Sequence, residues 1–178
     1  DGDYYFGGED DGAMTTGWVL MDITYNEATS DNEIAPVFND DEDQSRWFYF
    51  KSNGKKIKAE GDDIQKGKTI NGKKYAFDDE GKMLYGWVSS DNAERIDNTD
   101  DDAFKDGVYY FGGEDDGAMT TGWLLIDVSY DEATNDDYKY TAPTFNDDDD
   151  QTRWFYFKSN GKKIFAEDGD RTKDKTIN

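Results

Sequence analysis

The sequence predicts an all-β fold, a solenoid of stacked β-hairpins carrying long acidic loop insertions. Three observations lead there. First, the chain repeats itself: Tyr4 to Trp18, "YYFGGEDDGAMTTGW", returns letter for letter at Tyr109 to Trp123. A second phrase, Arg46 to Ile57, "RWFYFKSNGKKI", returns at Arg153 to Ile164. Second, each phrase contains an aromatic triplet followed by an Asn/Asp/Gly turn, the pattern of a strand running into a hairpin. Third, aromatic residues make up 16% of the chain while all hydrophobic residues make up only 34%. Rings thus supply nearly half the apolar content. Low apolar content with a net charge of −22 is otherwise the mark of disorder; the rings oppose it, because each buries a large area.

The large repeat runs over residues 1–105 and restarts over 106–178. The second phrase recurs two residues later than the first, which places a two-residue insertion near Asn135 to Thr141, in polar sequence that reads as a loop. The chain stops at Lys175-Thr176-Ile177-Asn178, matching Lys68-Thr69-Ile70-Asn71 in mid-unit. It therefore reads as part of a longer repeat protein.

Five hairpin units follow in order, near residues 3–18, 46–58, 70–87, 108–123 and 153–165. The first has Tyr4-Tyr5-Phe6, the acidic turn Gly7 to Gly12, Met14 and Gly17-Trp18. The second has Phe48-Tyr49-Phe50, the turn Ser52-Asn53-Gly54, which tolerates positive φ, and Ile57. The third has Tyr75-Ala76-Phe77, an acidic turn ending at Gly81, Met83 and Gly86-Trp87. The fourth and fifth repeat the first and second. Strand alternation puts Trp47 and Tyr49 on one face, and Phe48 and Phe50 on the other. Phe6, Phe50 and Phe77 are expected in the core. A lone hairpin is marginal in water, so each unit needs neighbours to cover its rings, the logic of a solenoid.

Phrases such as "INGKKYAFDDEGKMLYGW" at Ile70 to Trp87 resemble the cell-wall-binding repeats of Gram-positive surface proteins: choline-binding modules, glucan-binding repeats and clostridial toxin C-terminal repeats. The resemblance covers all five units. It implies ligand sites between consecutive hairpins, built from the Gly-Trp tryptophan, the triplet region and a Met. Carried to this chain, the ligand-binding candidates are Trp18, Trp47, Tyr49, Met83, Trp87, Trp123, Trp154 and Tyr156. Two departures stand out. The second unit has no Gly-Trp, with Gly61-Asp62 near its place, and long acidic insertions follow Trp18 and Trp87. Rings of this kind hold quaternary ammonium groups by cation–π attraction or stack on sugars; packing inside the stack is the alternative use.

The acidic stretches offer a second chemistry. Dense carboxylates suit Ca²⁺, with Asp40, Asp41, Asp43, Asp147, Asp148 and Asp150 as ligands; none fits the twelve-residue EF-hand loop. Solvated, mutually repelling loops are the alternative. Nine basic residues lie between Arg46 and Lys74, against Glu60, Asp62 and Asp63. They either balance acidic insertions of neighbouring units or meet anionic wall polymers such as teichoic acids.

Cys and His are absent, which excludes disulfides, Cys- or His-based nucleophile chemistry and the commonest transition-metal ligand. No phosphate loop follows Gly7-Gly8 or Gly112-Gly113. No apolar run approaches the roughly 20 residues of a membrane span. Strong negative charge disfavours nucleic acid as a partner. The expectation is a non-catalytic module of an extracellular bacterial protein, secreted or at the cell surface, that binds wall or surface glycopolymers. Beyond a possible Ca²⁺ it needs no cofactor. The alternative is a structural spacer or protein-adhesion stalk.

Overall fold

A computed structural model describes residues 2–23, 44–60, 67–89, 104, 107–128, 151–166 and 176–177. Among the described residues the regular elements are eight strands: β1 (Gly17–Ile23), β2 (Gln44–Phe50), β3 (Lys68–Ile70), β4 (Lys73–Tyr75), β5 (Gly86–Val88), β6 (Tyr109–Phe111), β7 (Gly122–Val128) and β8 (Gln151–Phe157). They form four antiparallel pairs, β1–β2, β3–β4, β5–β6 and β7–β8. The six acidic calcium candidates, Gly61-Asp62 and the Asn135–Thr141 insertion lie outside the described residues. Among the described residues no group of acidic side chains is placed to hold a metal ion.

The Gly-Trp segment does not close its own hairpin. It pairs with the triplet of the following unit: Trp18 faces Tyr49, Trp87 faces Tyr110 and Trp123 faces Tyr156. The long sequence between Trp18 and Trp47 is thus spanned by a ladder of seven-residue strands, from Gly17↔Phe50 to Ile23↔Gln44. The fifth unit is approached by an equally long ladder, β7–β8. An insertion that looks like an interruption in sequence is thus flanked by two paired strands. The junction before the third unit uses β3, which carries no tryptophan and turns into β4 through Asn71-Gly72 at φ 49° and 83°. Those are the angles of a type I′ hairpin turn.

Within each unit the triplet folds back on itself. The N–H donors of Thr15, Ile57, Leu84, Thr120 and Ile164 meet the carbonyls of Tyr5, Tyr49, Ala76, Tyr110 and Tyr156, at 2.8–2.9 Å. The residues just before those donors are Met14, Lys56, Met83, Met119 and Lys163. Four of these also stitch one unit to the previous one. The N–H groups of Lys56, Met83, Met119 and Lys163 donate to the carbonyls of Asp3, Trp47, Lys74 and Val108. The same residues lock the stack through their side chains. Met14, Met83 and Met119 lie over Gly54, Gly117 and Gly161 of the following unit, and Lys56 over Gly81, where a Cβ would overlap them. All four glycines have positive φ, so the turn needs glycine for its backbone and for the space above it.

Burial follows the strand alternation. In β2, Arg46, Phe48 and Phe50 are buried, while Trp47 and Tyr49 are half-buried. Three apolar clusters run along the stack, around Ile57–Ile70–Phe77, Val88–Tyr109–Phe111 and Trp87–Ile126–Phe157. Phe50 and Phe77 are core residues as expected, but Phe6 is 53% exposed. Among the described residues the second unit packs on the first through Lys56 and Met14, and the Phe6 ring lies away from that contact.

Charges are balanced locally. Lys82, only 2% exposed, sits 3.0 Å from Glu80 and 3.9 Å from Asp78. Arg46 donates to the Met83 carbonyl at 2.8 Å and lies over the Tyr85 ring. Lys58 and Lys56 reach Asp3 at 3.3 and 3.9 Å, and the Lys58 hydrogen bond is the main reason the Asp3 carboxyl is held below its usual range.

Candidate functional site

The tryptophan at the end of each Gly-Trp step is placed by its ladder. Gly17 leads β1 at φ 85°, and Trp18 then lies opposite Tyr49 in a pair close enough for side chains to interact. The alternation of β2 sends Trp47 and Tyr49 to the same side. The next unit stacks there and adds Tyr75 and Phe77. Trp18 is therefore ringed from two units: Tyr49 at 5.1 Å and Tyr75 at 4.8 Å edge-on, Trp47 at 6.5 Å edge-on, and Phe77 stacked at 5.8 Å. Met83 packs in the same cluster. Each ring pair is worth about 0.5–1.5 kcal/mol beyond area burial, so the cluster holds the second and third units together.

The cluster is not sealed. Trp18, Trp47 and Tyr49 are only half-buried. At the edge, Trp47 donates its indole N–H to the Asp115 carboxylate at 3.1 Å. Asp115 sits in the acidic turn of the fourth unit, and the neighbouring Asp116 is tied to Lys73 at 3.2 Å. That hydrogen bond raises the Lys73 ammonium above its usual range. Half-open aromatic rings with a carboxylate beside them are suited to a cation whose apolar shell meets ring faces and whose charge meets the carboxylate.

The same construction recurs at Trp87 with a different result. Tyr110 and Phe155 stand edge-on at 5.1 Å and Phe157 at 6.0 Å, and Trp87 is 3% exposed. At the third Gly-Trp, Trp123 meets Tyr156 at 5.2 Å, but Trp123 and Trp154 are 58% and 63% exposed. The eight sequence candidates thus divide into three places. Trp18, Trp47, Tyr49 and Met83 come together, Trp87 is enclosed, and Trp123, Trp154 and Tyr156 form an open face.

The chain's structural neighbours are choline-binding proteins. Choline binding protein F from Streptococcus pneumoniae is 19% identical, with a TM-score of 0.45 over 92% of this chain and 35% of that one. CbpJ from Streptococcus pneumoniae is 19% identical, with a TM-score of 0.30 over 90% and 39%. A pneumococcal cell wall endolysin from phage Cp-1, solved with choline, is 20% identical, with a TM-score of 0.27 over 67% and 28%. The chain spans between about a quarter and two fifths of the length of these proteins. No protein-family model and no curated protein sequence matches it.

Reading the sequence alone misses the partners contributed by the following unit. Tyr75 and Phe77 close on Trp18, and Phe155 and Phe157 on Trp87, yet each reads as its own hairpin's strand. Asp115, 68 residues from Trp47, gives no local signal. Lys163 at the third cluster's edge had one: "KKI" at Lys162 to Ile164 aligns with "KML" at Lys82 to Leu84, putting Lys where Met stands.

Proposed function

We propose that the chain is a non-catalytic repeat module through which an extracellular bacterial protein attaches to cell-wall or other surface glycopolymers. The observation that carries this reading is the half-open cluster of Trp18, Trp47 and Tyr49 with the Asp115 carboxylate at its edge. Such rings hold a quaternary ammonium substituent at roughly 0.5–2 kcal/mol per good contact, or the face of a sugar. Weak contacts of this size serve attachment when several modules act together, because linkage raises effective concentration. Isothermal titration with choline, glucan oligosaccharides and purified wall tests the reading. Choline alone binding identifies the quaternary ammonium; oligosaccharide binding identifies the sugar. An intact fold that binds none of the three refutes it.

A structural-spacer role has one observation in its favour: Trp87 is 3% exposed and serves the stack rather than solvent. On that reading, substituting Trp47 and Trp154 lowers stability and leaves wall retention unchanged.

A further inference from the structure

We propose that Lys163 is a tethered internal cation that fills the Trp87 aromatic site and closes it to external cationic ligands, in contrast to the half-open Trp18 cluster built on the same plan. The two clusters are built on one plan. The tryptophan of a Gly-Trp step meets the second triplet residue of the next unit, Tyr49 or Tyr110. The unit after that adds two rings, Tyr75 and Phe77 or Phe155 and Phe157. The residue bridged to the last ring completes the site: Met83 opposite Phe77, and Lys163 opposite Phe157. Their backbone positions match, since the Met83 N–H donates to Trp47 and the Lys163 N–H to Val108.

The side chains differ in kind. Met83 fills its slot with an apolar thioether. Lys163, 7% exposed, places its ammonium 5.0 Å from the centroid of the Trp87 ring and donates to the backbone carbonyl of Phe104. A buried ammonium is stable there because an aromatic face and a carbonyl oxygen replace its water. The same face is the one a ligand's ammonium would occupy. An incoming cation would have to displace a group tethered at very high effective concentration, against like-charge repulsion.

The ligand-excluding half of this proposal rests on the function proposed above; the internal cation does not, and two measurements separate them. In NMR spectra of the intact chain, the Lys163 ε-methylene protons, assigned by their loss in Lys163→Met, are expected upfield of those of exposed Lys158 through the Trp87 ring current. Random-coil shifts would overturn the internal cation. In choline titrations, Lys163→Met, which installs the residue found at the Trp18 site, is expected to raise the stoichiometry by one, while Lys163→Arg is expected to keep the wild-type value. An unchanged stoichiometry in a folded Lys163→Met chain overturns the exclusion. Choline binding by neither protein, with upfield ε-protons in the wild type, refutes the quaternary-ammonium form of the proposed function and the exclusion together, leaves its sugar-binding form to the oligosaccharide and wall titrations, and upholds the internal cation.

Discussion

Gly117 tests the stacking plan most sharply by substitution with alanine. Its φ is 52°, and an added Cβ would overlap the thioether of Met83. Two costs add. Placing alanine in the left-handed region costs about 1–2 kcal/mol. Driving Met83 from its packed position adds about 1–3 kcal/mol, the range for overpacking a core. Restricting the unfolded chain returns about 0.4–1 kcal/mol, which leaves a net loss of roughly 1–4.5 kcal/mol, centred near 3 kcal/mol. Two controls separate the terms. Gly72 has φ 83° with nothing within 4 Å, so Gly72→Ala pays the backbone cost alone, a net loss of roughly 1 kcal/mol. Gly113 has neither constraint, and Gly113→Ala is expected to change stability by less than about 0.5 kcal/mol. Urea unfolding followed by tryptophan fluorescence gives the three values, and a Gly117→Ala, Met83→Ala double-mutant cycle isolates the contact. Gly117→Ala no more harmful than Gly72→Ala, with zero coupling to Met83, would refute the interlock.

Other consequences are as direct. Among the described residues the buried Tyr109 hydroxyl has no hydrogen-bond partner, and the equivalent residues Phe48 and Phe155 lack it; Tyr109→Phe is expected to be neutral or to stabilise by up to about 1–2 kcal/mol in thermal melts, and a loss of stability would contradict the orphaned hydroxyl. Burial pushes the Asp78 carboxyl up to about 6, from an ordinary value of 3.8, against the pull of Lys82 and Arg46. Between those values the folded chain holds a proton that the unfolded chain releases, so this group's contribution to stability declines as pH rises from about 4 to about 6. Asp78→Asn keeps the acceptor for the Lys82 N–H and removes that slope. Its melting temperature relative to wild type is therefore expected to climb across the same window, by the equivalent of up to roughly 3 kcal/mol, and a constant difference would count against it. Trp18→Ala removes the ring that joins the second and third units and is expected to cost about 3–5 kcal/mol, whereas Trp123→Ala, on an open face, is expected to cost much less in the same assay.

The fold was largely legible because the stack is built from local phrases. The aromatic triplet, the Asn-Gly turn and the strand alternation of β2 each act over a few residues, and repetition announces that each unit meets similar neighbours. Pairing across units was harder to read. Gly17-Trp18 belongs to the ladder of the next triplet, and nothing local tells a strand which of two flanking triplets it joins. Phe6 read as core because its phrase matches those of Phe50 and Phe77; exposure depends on the neighbour a unit has, which the phrase does not encode. The site was legible in its tryptophans and not in its walls. Tyr75, Phe77 and Asp115 arrive from units that stack or fold over Trp18, and that proximity exists only once the hairpins are assembled.

Co-sedimentation of the intact chain with purified Gram-positive cell wall tests the central claim most directly, using the wild type and a Trp47→Leu, Asp115→Ala variant whose circular dichroism matches it. The account predicts saturable retention of the wild type and loss of most of that retention in the variant. Equal retention of both, or none by either, would contradict the assignment of the Trp18 cluster as the attachment site.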